Sequence, residues 1–260
     1  MYQISGLLTY PKLFHAFSEK KDGNMANSIL YKLQDFSVVV PNRKKFLASL
    51  DIPLEKTICM WVVHKDEVAI ANHKLAGKSI LDPKYAVKVD ALITNSKNLY
   101  LFLLIADCAP VILYDPVKQT LALIHVGWKG ADLEIVKRVV KRLKDEYDSR
   151  PENLIVGIGP AAQKNSFIKE SPSQLSDKKW QPFLEKVIGD HPERVKRVEG
   201  YKVDFVGLVK RQLQDSGVFE KNIIDCGIDT VTDERFYSHL REVKLPLEKQ
   251  GRFACIVGLK

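Results

Sequence analysis

Long apolar runs and dense cysteines are both missing from this 260-residue sequence. No apolar run reaches the roughly 18 residues that a membrane-spanning helix needs. The N-terminal segment MYQISGLLTYPK lacks a basic stretch followed by an apolar one, so we expect no secretory signal. The four cysteines form no CxxC pair and are too sparse for a disulfide framework. These absences predict a cytoplasmic protein with no membrane partner.

Segregated charge is also missing. The chain has 40 Lys and Arg residues against 32 Asp and Glu residues, a net charge of +8. The basic residues are mixed with acidic ones, as in VKRVVKRLKDEYDSR, and aromatic residues do not alternate with them. That pattern disfavours nucleic acid as a partner, and the net charge then indicates either an anionic small molecule such as phosphate or an ordinary solvated surface with lysine in excess. The oligomeric state is left open.

The hydrophobic patterns predict clusters of strands separated by helices. Because the strands do not alternate strictly with helices, we expect mixed sheets covered by helices, an α+β or layered α/β sandwich, rather than a doubly wound fold. The predicted strands include TICMWVVH, EVAIAN, ALIT, LYLFLLIA, VILYD and TLALIHV, and EVAIAN is expected to pair with TICMWVVH. The predicted helices are PNRKKFLASLDIP, ADLEIVKRVVKRLKDEY, LSDKKWQPFLEKVIG and VDFVGLVKRQLQDSG.

One segment, LLIADCAPVILYDPVKQTLALIHVGWKG at 103–130, places a cysteine and a histidine within two apolar runs. The turn DPVKQ predicts a hairpin. If Tyr114 faces Thr120, Cys108 lies opposite Val126 and beside His125, since cross-strand neighbours are about 5 Å apart. The pair is then either an ordinary part of the core or half of a catalytic site.

A second histidine, His64, ends the strand ICMWVV as His125 ends TLALI. Two histidines and a cysteine suit Zn²⁺ with an open fourth position, so His64, Cys108 and His125 are the candidate metal ligands. Asp107 is a candidate proton carrier or orienting carboxylate. A metal-free hydrolase with Cys108 as nucleophile and His125 as base is an alternative.

Several blocks resemble, in order, the signatures of the YfiH-type laccase-domain family, also called the polyphenol oxidase family. They are ADCAPVILYD, IHVGWKG, VGIGP and ERFYSHLRE with a later GR, and DALIT and an early NR fit the same series. The resemblance covers about 14–256. It implies a single domain at 1–260 with α/β/β/α layers, and a zinc site at His64, Cys108 and His125.

The resemblance also implies activity on purine nucleosides. The expected reactions are phosphorolysis of adenosine, inosine or methylthioadenosine, and deamination of adenosine. Zn²⁺ lowers the pKa of bound water to about 7, which suits deamination. Phosphorolysis needs cations that hold phosphate, and the candidates are Arg43, Lys129 and Arg241. Cys108 and His125, with Asp107, are the predicted catalytic residues.

Other functions stay open. Some members of the family are linked to removal of wrongly built peptidoglycan precursors, so a metal- or cysteine-dependent amidohydrolase is one alternative. A zinc-stabilised binding module without turnover is another. The older family name claims copper-dependent oxidation of phenols. Six histidines without a His-x-His pair disfavour a multicopper cluster, whereas a single Cu²⁺ at the same three ligands remains an alternative.

The sequence departs from the family pattern beside the ligands. Val62 and Lys65 stand where the family has Gln and Gly around the first histidine. Ala161 stands where the family has a cysteine. The family motif SYRR is SHLR in this chain, with Leu240 at its third position. The ligands are kept while their surroundings differ. The resemblance therefore leaves the substrate undecided.

Overall fold

The computed structural model describes residues 1–30, 32–170, 173–190 and 197–260. Two large mixed sheets form its centre. In spatial order, the strands of the first sheet are β1 (Leu13–Phe17), β16 (Phe253–Leu259), β8 (Tyr100–Ile105), β4 (Thr57–Trp61) and β6 (Val87–Lys88). Those of the second are β15 (Ile223–Asp225), β11 (Ile155–Ile158), β9 (Ala109–Asp115), β10 (Thr120–Val126), β7 (Ala91–Thr94) and β5 (Val68–Ile70).

Smaller elements surround these sheets. The short strands are β2 (Ser28–Ile29) with β3 (Lys32–Leu33), and β12 (Ile168–Lys169), β14 (Arg197–Val203) and β13 (Leu184–Asp190). The helices are α1 (Phe36–Ala48), α2 (Lys78–Leu81), α3 (Trp128–Asp132), α4 (Ile135–Tyr147), α5 (Phe205–Asp215) and α6 (His239–Glu242). Among the described residues, no helix combines the length and the apolar character that a bilayer crossing requires.

The layers follow from side-chain alternation along fully buried strands. In β9, Val111 and Leu113 pack against α4 and α5, whereas Ile112 and Tyr114 pack between the two sheets. On the far side, Phe102 of β8 packs with residues of α1 and α2. Both faces of each sheet are thus covered, which explains the nearly continuous apolar runs. The predicted α/β/β/α layering is confirmed.

Two helix predictions hold well because their apolar periodicity is strong. Of the apolar face predicted for ADLEIVKRVVKRLKDEY, Val136, Val139, Val140 and Leu143 are buried in α4, whereas Leu133 precedes the helix and is exposed. The predicted segment is nevertheless split, because Glu134 adopts a left-handed backbone (φ +57°) between α3 and α4. Helix α5 begins after Asp204, whose side chain accepts a hydrogen bond from the Gly207 backbone N–H.

Two element predictions are wrong, and the helix predicted at PNRKKFLASLDIP begins earlier than expected, because α1 starts at Phe36 and contains Pro41. EVAIAN does not pair with TICMWVVH, because β5 lies beside β7 in the second sheet while β4 lies between β8 and β6 in the first. LSDKKWQPFLEKVIG does not form an α-helix. It forms short 3-10 turns and then strand β13, since Pro182 lacks the N–H that a helix interior needs, and the following residues pair with β14.

The predicted hairpin exists, but its register differs by one residue. Thr120 pairs with Asp115 rather than with Tyr114. The loop between the strands therefore has four residues, and the Asp115 side chain accepts hydrogen bonds from the backbone N–H groups of Val117 and Lys118. Gln119 adopts a left-handed backbone (φ +51°), which completes the turn.

Candidate functional site

The three predicted ligands meet where the two sheets come together. The ligand atoms of His64, Cys108 and His125 all lie within 4.8 Å of one another. His64 follows β4 of the first sheet, Cys108 precedes β9, and His125 lies near the end of β10 in the second sheet. The rings of the two histidines are edge-to-face, with centroids 5.0 Å apart. The site therefore exists only once both sheets have formed and packed together.

Local backbone geometry brings the thiol close to β10. Asp107 and His64 both have left-handed backbones, with φ of +79° and +56°. These turns redirect the chain at the strand ends. A Cβ atom at Gly127 would lie 3.0 Å from Cys108 Sγ, so the glycine lets the thiol approach β10 without a tight contact. Although the register differs from the prediction, Cys108 still lies beside the end of β10.

A buried carboxylate that sequence reasoning missed, Asp90, organises the ligands. Its oxygens accept hydrogen bonds from the backbone N–H groups of Val63, His64 and Lys65 at 3.2, 2.9 and 2.7 Å. Its Oδ1 is also 3.1 Å from His125 Nδ1. Because the carboxylate accepts, Nδ1 carries the proton, which leaves Nε2 as the ligand nitrogen. Its position in the DALIT block was the only sequence signal for this residue.

The charges around the cluster separate the two histidines. Removal from water lowers the pKa of His64 to about 4, and the charge of His125 acts in the same direction. Burial also lowers the pKa of His125, but Cys108 and the hydrogen-bonded Asp90 outweigh it and raise that pKa to about 9. Burial raises the pKa of Asp90, yet the bonds from His125 and the backbone lower it overall. Without a metal, the cluster thus holds a neutral His64 beside a charged His125.

The predicted proton carrier, Asp107, lies beside the cluster and is 8% exposed. Its Oδ1 accepts a hydrogen bond from the Thr230 hydroxyl and its Oδ2 accepts one from the Leu240 backbone N–H, both at 2.7 Å. Its carbonyl also accepts a bond from Ala162. The carboxylate thus connects the segments of Thr230 and Leu240, and the backbone carbonyl adds that of Ala162.

A cavity of about 990 Å³ opens above the cluster, which is large enough for a nucleoside. Its lining includes the aromatic and aliphatic side chains of Trp128, Phe167, Phe205 and Leu240. Asn27 and Leu30, at the strand pair β2–β3, also line it.

Of the three predicted phosphate-binding residues, only Lys129 lines the cavity. Arg43 is fully buried and donates to the carbonyls of Met25 and Ile80 and to the Asn27 side chain. Arg241 donates to several backbone carbonyls, including that of Thr230 at 2.8 Å. Both guanidinium groups thus donate their hydrogen bonds to acceptors within the protein. The structure places them as supports of loops and does not bring them to the cavity.

A different arginine, Arg252, does line the cavity. In the sequence it was only the last residue of a signature block, the GR before the final strand. Three of the four departures from the family pattern, Val62, Lys65 and Leu240, also line the cavity, whereas Ala161 is buried behind it. The cavity lining therefore departs from the family pattern at positions next to the ligands, whereas the ligands do not.

Comparisons with known proteins agree with this architecture. The purine nucleoside phosphorylase YlmD of Bacillus subtilis is 27% identical over 224 residues, which cover 85% of this chain and 77% of that protein. A purine nucleoside phosphorylase of Campylobacter jejuni is 30% identical over 210 residues, which cover 80% of this chain and 79% of that protein.

Solved structures share the fold. YlmD from Geobacillus stearothermophilus matches with a TM-score of 0.82 at 25% identity, covering 96% of this chain and 93% of that one. YfiH from Bacillus licheniformis matches with a TM-score of 0.80 at 24% identity, covering 96% and 94%. A family model described as multi-copper polyphenol oxidoreductase laccase matches residues 16–260. The chain therefore belongs to this laccase-domain family, whose signature blocks its sequence resembles.

Proposed function

We propose that this protein is a cytoplasmic, metal-dependent enzyme that cleaves purine nucleosides by phosphorolysis, and that residues 1–260 form one domain. The observation that carries the proposal is the His64, Cys108 and His125 cluster at the base of a nucleoside-sized cavity. The names of the relatives, purine nucleoside phosphorylases, support the same substrate class.

The donor set fits a zinc ion. Two imidazole nitrogens and one thiolate leave the fourth position of a tetrahedral ion open. The hydrogen bond between Asp90 and His125 is the carboxylate–histidine arrangement that orients a metal-bound imidazole. When bound, Zn²⁺ supplies a positive charge that polarises an oxygen atom or activates water. Cu²⁺ favours similar ligands, so the metal must be measured rather than assumed.

The cavity walls suggest how the chain's own residues act. The wall of Trp128, Phe167 and Phe205 offers apolar and aromatic surface for the purine base. A phosphate oxygen would then form a bond to ribose C1′ while the C1′–N9 bond breaks. The bonding pair leaves with the purine, which takes up the proton that hydrogen phosphate loses as it becomes the sugar phosphate. Phosphate must be held as an anion near C1′, which calls for a cation in the cavity.

The geometry favours phosphorolysis over deamination. Deamination needs a group that carries a proton to the leaving ammonia. Asp107 is the candidate, but both of its oxygens already accept short hydrogen bonds from Thr230 and Leu240. A carboxylate engaged in this way serves better as an orienting group than as a proton carrier.

The test is product analysis with protein of measured metal content. Adenosine, inosine and methylthioadenosine are each incubated with and without phosphate. We expect free base and ribose 1-phosphate (or its methylthio analogue) only with phosphate. Adenosine converted to inosine without phosphate would indicate a deaminase instead. If the enzyme converts none of these three nucleosides, the proposal is rejected.

A matched pair of thiol variants tests the role of the metal. We expect Cys108→Ala to lose both the metal and the activity, because it removes a ligand. Cys226→Ala removes a free thiol outside the cluster and should keep both. Full activity in a metal-free wild type would favour a cysteine hydrolase instead.

A further inference from the structure

The cavity contains a cationic side chain, Arg252, that has no role in the proposed function. Arg252 immediately precedes β16 and lines the cavity together with the ligand cluster. Its backbone is fixed on both sides, since its N–H donates to the Asn24 side chain and its carbonyl accepts from Met25, both at 3.0 Å. The side chain therefore extends from a rigid position.

Most of the hydrogen-bonding capacity of this guanidinium is unused. Nη1 donates to the Gly251 carbonyl at 2.7 Å. Within the described part of the chain, Nε and Nη2 have no protein acceptor. Arg43, by contrast, uses Nε, Nη1 and Nη2 on protein acceptors. Nε and Nη2 form one edge of the planar group, the edge that binds two oxygens of an anion side by side.

The surroundings of Arg252 are those of an anion site close to the ligands. Burial lowers its pKa, while the charges of Cys108, Asp107 and Glu242 raise it. No carboxylate of the described residues forms an ion pair with it. A partly buried guanidinium whose Nε–Nη2 edge meets no acceptor of the described residues is unfavourable, so an anionic ligand that accepts hydrogen bonds from this edge would offset the cost.

We propose that Arg252 binds the inorganic phosphate that attacks the nucleoside, with Nε and Nη2 donating to two phosphate oxygens. This inference rests on the proposed phosphorolysis. Arg252 and the three metal ligands line the same cavity, so a phosphate held by Arg252 would lie in the cavity that contains the ligands. Lys129 is exposed at the same cavity and adds a point charge rather than a bidentate contact.

The kinetic test uses the metal-loaded enzyme and varies phosphate at saturating nucleoside. We expect Arg252→Met to raise the KM for phosphate about 100-fold, the effect of losing two charge-assisted hydrogen bonds. Arg252→Lys keeps the charge but loses the bidentate contact, so an increase of about tenfold is expected. The KM for the nucleoside should change by less than about twofold. An unchanged phosphate KM in Arg252→Met would overturn the inference.

Calorimetric titration with inorganic phosphate alone separates this inference from the proposed function. Wild type should bind phosphate, Arg252→Met should not, and metal content and circular dichroism should match in both. If phosphate binds through Arg252 but no nucleoside is cleaved, the proposed function fails and the anion site stands. If nucleosides are cleaved and Arg252→Met binds phosphate normally, the inference fails alone. Arg235→Met, an exposed arginine paired with Asp233 outside the cavity, is the control and should behave as wild type.

Discussion

Replacing Asp90 by asparagine tests the physical basis of the ligand cluster. The carboxylate is 0% exposed and accepts hydrogen bonds from three consecutive backbone N–H groups and from His125. Asparagine has nearly the same shape but only one acceptor oxygen. If that oxygen takes the Oδ1 position, the new NH₂ group meets the Lys65 N–H, which lies 2.7 Å from Oδ2. One charge-assisted bond is replaced by two facing donors.

The magnitude follows from these contacts. Losing a hydrogen bond to a buried charge costs about 1.5–3 kcal/mol, and the unpaired donor adds about 1 kcal/mol or more. We therefore expect Asp90→Asn to lower the free energy of unfolding of the metal-free protein by about 2–4 kcal/mol. Because His125 loses its orienting partner and the His64 loop loosens, the metal dissociation constant should rise about 10–100-fold.

Urea unfolding of the metal-free protein and metal competition with a chromophoric chelator measure the two effects separately. Asp115→Asn is the matched control, because Asp115 is equally buried and accepts two backbone bonds at the far turn of the β9–β10 hairpin. Both bonds go to Oδ1, which asparagine keeps, so that variant should lose less stability than Asp90→Asn and keep its metal affinity. If Asp90→Asn binds metal as tightly as wild type, the role assigned to Asp90 is wrong.

Three further predictions concern the fold and the site. Burial lowers the pKa of His15 to about 4, and the Ile4 N–H donates a hydrogen bond to its Nε2. As the pH falls, the unfolded chain therefore binds a proton at His15 before the folded protein does. About 3 kcal/mol of the free energy of unfolding, present above pH 6.5, should be lost between pH 6.5 and 4. Urea unfolding across this range should show a smaller loss in His15→Gln, and equal losses would contradict the assignment. Gly127→Ala should weaken metal binding, because the added methyl group would displace Cys108 Sγ, and chelator competition measures the affinity. An unchanged metal affinity would contradict this expectation. Arg43→Met should lower the free energy of unfolding by about 3–5 kcal/mol. A rise in the KM for phosphate alone would show instead that Arg43 binds phosphate.

Local patterns explain which elements could be predicted from the sequence. Helices α4 and α5 were found because their buried faces repeat with the helical period. The β9–β10 hairpin was found because a turn separates two apolar runs, although its register depended on the side-chain bonds of Asp115. The choice of partner for β5 depended on β7, and the conversion of 184–190 to a strand depended on pairing with β14. Helical periodicity reports neither of these pairings.

The amino-acid sequence by itself determined the buried runs, the strand ends and the chemical types of His64, Cys108 and His125. Those properties depend on near neighbours in the chain, so they can be read locally. Only the tertiary structure decided which polar groups share the site. In the folded chain Asp90 forms hydrogen bonds with two of the ligand residues, and Arg252 lines the cavity. Arg43 and Arg241 instead donate to protein acceptors away from the cavity. The reason is physical: whether a guanidinium or carboxylate is free for a ligand depends on acceptors and donors from segments that meet only when the two sheets pack together.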